Sequence, residues 1–215
     1  MSSRSAMSRL ALALSLAVTA AIVGPPNRAD ACGNSVRRLV DSGQEYVQKA
    51  DLLLAKGQHR KAVSTIREAF GDKALAADMK GPGAHLHRRA QRILALAVAR
   101  SGGDIAIGMG LGGASKSRKD AAIAWAVLTL RLQADAPAQT ADLAEALARQ
   151  ASGRAEAHDL LKGLADGDLM PTAEGWALLA ELSKERGDVE TSKRAVERCM
   201  KTYARHVKCD VTEQT

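Results

Sequence analysis

Apolar positions recur at three- and four-residue spacing through most of the chain, and no stretch alternates with period two for long. Alanine and leucine dominate the apolar set, while β-branched and aromatic residues are sparse, so summed propensity favours helix nearly everywhere. Breakers cut the pattern into segments, and the spacing predicts helices near 35–56, 58–70, 84–101, 118–135, 138–150, 154–165, 172–186 and 188–205. Gly57, Gly71, Gly81-Pro82-Gly83, Pro137, Gly153, Gly167, Pro171 and Gly187 supply the punctuation. Asp142 and Glu145 fall early in their helix, and Arg198, Lys201 and Arg205 late in theirs, as the helix dipole prefers. Gly57 and Gly187 each stand alone between two long segments, and so short a hinge turns one amphipathic helix back against the next. The expected fold is all-α: an array of antiparallel helix pairs, about eight helices in one domain over residues 32–215.

The first thirty-one residues follow a different pattern. Arg4 and Arg9 precede an uncharged apolar run, Leu10 to Val23, that is shorter than the ~20 residues of a membrane span. Gly24-Pro25-Pro26 ends that run, and Ala29-Asp30-Ala31 offers small residues at the two positions a signal-cleaving enzyme reads. Residues 1–31 therefore read as an export signal, with cleavage before Cys32 and a periplasmic or secreted destination. Lipidation at Cys32 and an uncleaved anchor are the alternatives, although Ala29 and Asp30 fit a lipoprotein signal poorly.

Within the remaining chain, residues 46–69 (YVQKADLLLAKGQHRKAVSTIREA) place Tyr46, Ala50, Gly57, Ala62 and Ala69 in the aromatic, small and glycine positions of a tetratricopeptide repeat. Residues 176–199 repeat the pattern with Trp176, Leu179, Ala180, Gly187 and Cys199, with Ser192 replacing an alanine. A weaker copy runs through Trp125, Leu128, Ala141 and Ala148, with Ala136 where glycine is expected. The chain thus resembles the tetratricopeptide family, and its ACGNSV opening is similar to that of a group of secreted bacterial repeat proteins. It departs from the family in spacing, since the copies do not follow the usual ~34-residue period. Helices 84–101 and 154–165 are left over between copies, and Lys49 and Glu145 stand where large apolar residues belong. The resemblance implies an irregular tetratricopeptide-like array that binds a protein or peptide partner in a groove. It places Gln44, Val47, Asp51, Ala126, Leu130, Gln133, Glu174, Glu181 and Lys184 along that groove, and gives Trp125 and Trp176 core positions.

Candidate chemistry adds little. The glycine-rich stretch 102–115 (GGDIAIGMGLGGAS) lacks the lysine that a phosphate-cradling loop needs directly after its last glycine, so 102–117 reads as a flexible surface loop. His85 and His87 read as surface histidines, and Glu181 and Glu185 as a solvated carboxylate pair on one helix face. No nucleophile elbow or HExxH pattern occurs, so no enzyme is expected, and no cofactor. Of the three cysteines, Cys199 and Cys209 are near in sequence and read as a disulfide, because an exported chain meets an oxidising compartment. A zinc site from Cys199, His206 and Cys209 would lack a fourth ligand and a known spacing.

Charge narrows the partner further. The chain carries +7, and the part after Ala31 keeps +5 of it. One Phe, two Tyr and two Trp in 215 residues leave few platforms for stacking bases, which argues against nucleic acid. Acidic proteins, anionic lipid headgroups and cell-wall polymers remain. A cell-wall or membrane-associated structural protein working through its basic surface is the second expectation, with membrane attachment only if Cys32 is lipidated.

Overall fold

The computed structural model describes residues 43–76, 80–202 and 207–209, all within the compact unit Val40–Thr215. The segment read as an export signal, Cys32 and His206 lie outside the described residues. The described chain is all-helical, with no strand. The helices are α1 (43–55), α2 (His59–Ala76), α3 (Ala84–Arg100), α4 (Lys116–Arg131), α5 (Pro137–Leu147), α6 (Arg154–Asp166), α7 (Ala173–Glu185) and α8 (Val189–Lys201). Gly71, at φ 65° and ψ 163°, kinks α2 where the sequence pattern ends its second helix.

The two single-glycine hinges work through their hydrogen bonds. After α1, the Gly57 N–H donates to the Leu54 carbonyl (3.0 Å) and the Gln58 N–H to Leu53 (2.8 Å). After α7, the Gly187 N–H donates to Lys184 (3.0 Å) and the Asp188 N–H to Ser183 (2.9 Å). This pairing satisfies the last carbonyls of a helix and requires one residue in the left-handed region. Gly57 has φ 69° and Gly187 φ 76°. The same pattern ends α6 with Asp168 at φ 53°, a strained position for a residue with a Cβ. At the far side of the second hinge, the Asp188 carboxylate caps α8 by accepting the Thr191 N–H at 3.1 Å. Gly187→Ala should lower the unfolding free energy by about 1–2 kcal/mol, the left-handed penalty of a Cβ, as read from urea denaturation.

Helices α2 to α8 each pack against their chain neighbours, α3 also touches α5, as α5 does α7, and the Tyr46 hydroxyl of α1 donates to Glu68 of α2 at 3.2 Å. Asp51 of α1 is paired with Arg89 (2.5 Å) and Arg92 (3.6 Å) of α3, which ties α1 into the same row. Helices α1, α3, α5 and α7 thus form one layer, with α2, α4, α6 and α8 behind it. The helices that sequence spacing leaves over, α3 and α6, are full members of this alternation. Residues 93–99 of α3 and 141–147 of α5 are buried without a break, so these two helices sit at the centre. In α3 that run is wholly apolar, as a helix covered on every side requires, whereas in α5 it includes Asp142 and Glu145, which pair with Arg92 and Arg100 of α3.

Two further expectations are corrected here. His87 is a core histidine, 1% exposed and edge-on to Phe70 at 6.4 Å, whereas His85 is exposed. The glycine-rich segment 102–115 is a folded loop in place of a loose one. Ile105 and Ile107 are buried, the Gly113 N–H donates to Gly103 O (2.9 Å), and the Gly112 N–H donates to Arg118 O (3.0 Å). A Cβ at Gly112 would collide with the Ile105 carbonyl, so close backbone approach, with φ 77°, explains that glycine.

Candidate partner-binding cleft

A cleft of about 620 Å³ opens where the α1–α2 hinge faces the end of α3. Gly57, Gln58, His59, Arg60 and Lys61 form one wall, and Arg100, Ser101, Asp104 and Ile105 the other. Local sequence explains both walls. The hinge fixes Gly57 and Gln58, so the first turn of α2 presents His59, Arg60 and Lys61 together. That turn holds no acidic residue, against the usual preference of a helix N-terminus for negative charge. The opposite wall is the start of the folded glycine-rich loop. Its carboxylate, Asp104, is ion-paired with Lys119, and its buried Ile105 anchors it. Four side chains that carry or can carry positive charge therefore face the cleft, and the one carboxylate among its lining residues is paired outside it. Arg60 and Lys61 are exposed and form no ion pair among the described residues.

Arg100 connects this cleft to the core. Its guanidinium binds Glu145 of α5 through two hydrogen bonds, 2.8 and 3.1 Å, and approaches Glu174 of α7 at 3.5 Å. Beside it, Arg92 holds Asp142 of α5 through bonds of 2.5 and 3.1 Å and reaches Asp51 of α1. A ladder of charge thus crosses the layer α1, α3, α5, α7. Burial alone would lower the Arg100 pKa, but Glu145, Glu174 and Asp142 more than offset it and hold it above its ordinary value. Burial pushes the Glu145 carboxyl up, and Asp142 and Glu174 add to the push that Arg100 only partly reverses. One guanidinium shared between two carboxylates stabilises each less than a private one would. Glu145, which departs from the repeat pattern in sequence, is thus explained by Arg100, 45 residues earlier.

The nine groove positions inferred from the repeat resemblance do not come together on one surface. Val47 (0% exposed), Ala126 (0%) and Leu130 (1%) are core residues, because their helix faces point into the packing and not outward. Asp51 and Glu174 belong to the ladder facing α3, whereas Glu181 turns the other way and accepts from Arg154 of α6 at 2.8 Å. Arg154 also binds Glu185, so the presumed solvated pair shares one guanidinium. Gln44 and Lys184 are exposed and Gln133 is partly buried. Trp176 is in the core with Arg198 over its ring, 5.5 Å from the centroid, but Trp125 is only partly buried. None of the nine lines the cleft. The signal that could have found it is the run Gln58-His59-Arg60-Lys61 directly after a hinge glycine, three basic residues at the wrong end of a helix dipole.

Cys199 of α8 is joined to Cys209, with Cα atoms 5.6 Å apart. Among the described residues no helix is long and apolar enough to cross a membrane, and no group of three or more His, Cys, Asp or Glu is placed to hold a metal ion. Comparison with protein-family models, with curated proteins and with solved structures finds no match to the chain.

Proposed function

We propose that this protein is a non-catalytic helical scaffold that holds an acidic segment of a protein or peptide partner in the cleft between the α1–α2 hinge and the end of α3. The observation that carries this reading is the lining of that cleft: exposed Arg60 and Lys61 beside His59, with its carboxylate Asp104 paired to Lys119. Positive charge on two exposed side chains, unpaired among the described residues, beside a concave surface favours an anionic ligand, and long-range attraction to it speeds encounter. The likeness of residues 46–69 and 176–199 to tetratricopeptide repeats supports a partner of protein character. The signal-like residues 1–31 and the Cys199–Cys209 bridge support work in an oxidising compartment outside the cytoplasm.

The test is a crosslinked pull-down from intact producing cells, using the tagged chain beside its Arg60→Glu/Lys61→Glu variant. One protein partner captured by the parent and reduced at least tenfold with the variant is the expected result. Capture of lipid or polymer alone, released by salt that screens charges beyond ~8–10 Å, would replace the scaffold with a basic structural coat. Equal capture by both chains would remove the cleft from the account.

A further inference from the structure

Helix α4 is apolar on two opposite faces. One face, with Ala122, Ile123, Ala126, Val127 and Leu130, is buried in the array. The other is turned to solvent: Ala121 and Ala124 are exposed, Leu128 is 65% exposed and Leu132, just past the helix, 90%. Trp125 lies half-buried at the edge of the same stripe. At 100° per residue these positions fall within one narrow sector, so they form a continuous ridge and not scattered exposures. A helix apolar all round is ordinarily covered on all sides.

The ridge is complementary to itself. Two copies of α4 laid antiparallel about a two-fold axis between Ala124 and Trp125 bring each large side chain against a small one. Leu128 faces Ala121 of the other copy, Trp125 faces Ala124, and Leu132 faces Ser117. On one flank of the ridge lie Asp120 and Arg131, and the same axis sets Asp120 about half a turn from Arg131 of the other copy. Arg131 already donates to the Glu156 carboxylate at 2.9 Å and keeps further donors for a second one. A two-fold interface must be self-complementary in shape and charge, and both conditions hold here. A lipid surface or an unrelated protein would have no reason to match large with small at this register.

We infer that the exposed ridge of α4 is a docking surface for a second copy of this chain, in an antiparallel two-fold pair. The pair is independent of the cleft, which lies where the glycine-rich loop leaves α3, whereas α4 begins at the loop's far end.

Sedimentation equilibrium of the purified full chain, up to about 0.1 mM, tests it. The parent should show a reversible dimer. Leu128→Glu, placed on an exposed side chain and checked for unchanged helicity, should weaken it at least a hundredfold, and Asp120→Arg about tenfold. A mixture of Leu128→Cys and Ala121→Cys chains, treated with a short thiol crosslinker, should give mixed dimers in preference to either like pair. A parent that stays monomeric throughout, or a dimer indifferent to Leu128→Glu, would overturn the inference. Preferred crosslinking of Leu128→Cys chains to one another would overturn the antiparallel register.

Discussion

Arg100→Ala is expected to lower the unfolding free energy by about 3–5 kcal/mol, the largest effect of any single polar substitution in the array. The side chain is 13% exposed and Glu145, which it binds twice, 7%. Removing the guanidinium strands a buried carboxylate and releases Glu174 on a third helix, so α3, α5 and α7 lose their shared tie. Two controls separate this from simple loss of volume. Glu145→Gln should cost less than Arg100→Ala, because the amide oxygen still accepts from the guanidinium and Glu174 stays beside it, whereas the alanine variant leaves both carboxylates without their donor. Arg100→Met with Glu145→Leu should recover most of the loss, since an apolar pair of similar size needs no compensating charge. Urea denaturation of the four chains gives the comparison; Arg100→Ala within about 0.5 kcal/mol of the parent would contradict the assignment.

Opening the Cys199–Cys209 bridge should be the next largest effect. The two cysteines are 10 residues apart, and closing a loop of that size removes unfolded-state entropy that stabilises the fold by about 2–3 kcal/mol. Cys199 is fully buried on α8, and Val207 and Cys209 pack against the core, so the bridge holds the end of the chain on the last helix pair. Cys209→Ser should melt several degrees lower than the oxidised parent, and reductant should bring the parent down to the variant while leaving the variant unmoved. A parent whose melting temperature ignores reductant would show that the tail adds nothing to stability.

The helices were legible because their ends are written locally. Gly57 and Gly187 mark left-handed caps, Pro137 opens α5 at its first turn, and the apolar spacing between them is helical throughout. The fold class therefore follows from propensity and punctuation. Layer membership was not legible, because the repeat match groups α4 with α5 by sequence likeness, while packing sets α3 beside α5. The unbroken run of residues 93–99 was the available sign that α3 is central, but an apolar run does not name its neighbours. Ion pairs such as Arg100–Glu145 and Arg92–Asp142 span 45 and 50 residues, a distance over which spacing carries no information. The groove positions failed for a related reason. They were carried over from a regular repeat, and in this irregular array the same helix faces point into the core at Val47, Ala126 and Leu130. The cleft, by contrast, is written in adjacent residues, and its signal was a local rule broken at the start of α2.

The central claim, that the basic cleft receives an acidic partner segment, is tested most directly by amide chemical shifts of the isotopically labelled chain during titration with a short oligoglutamate. Saturable shifts concentrated at residues 57–61 and 100–105, absent with an oligolysine control and lost in Arg60→Glu/Lys61→Glu, are the predicted result. Shifts spread evenly over the surface, or centred on α7 and α8, would contradict it.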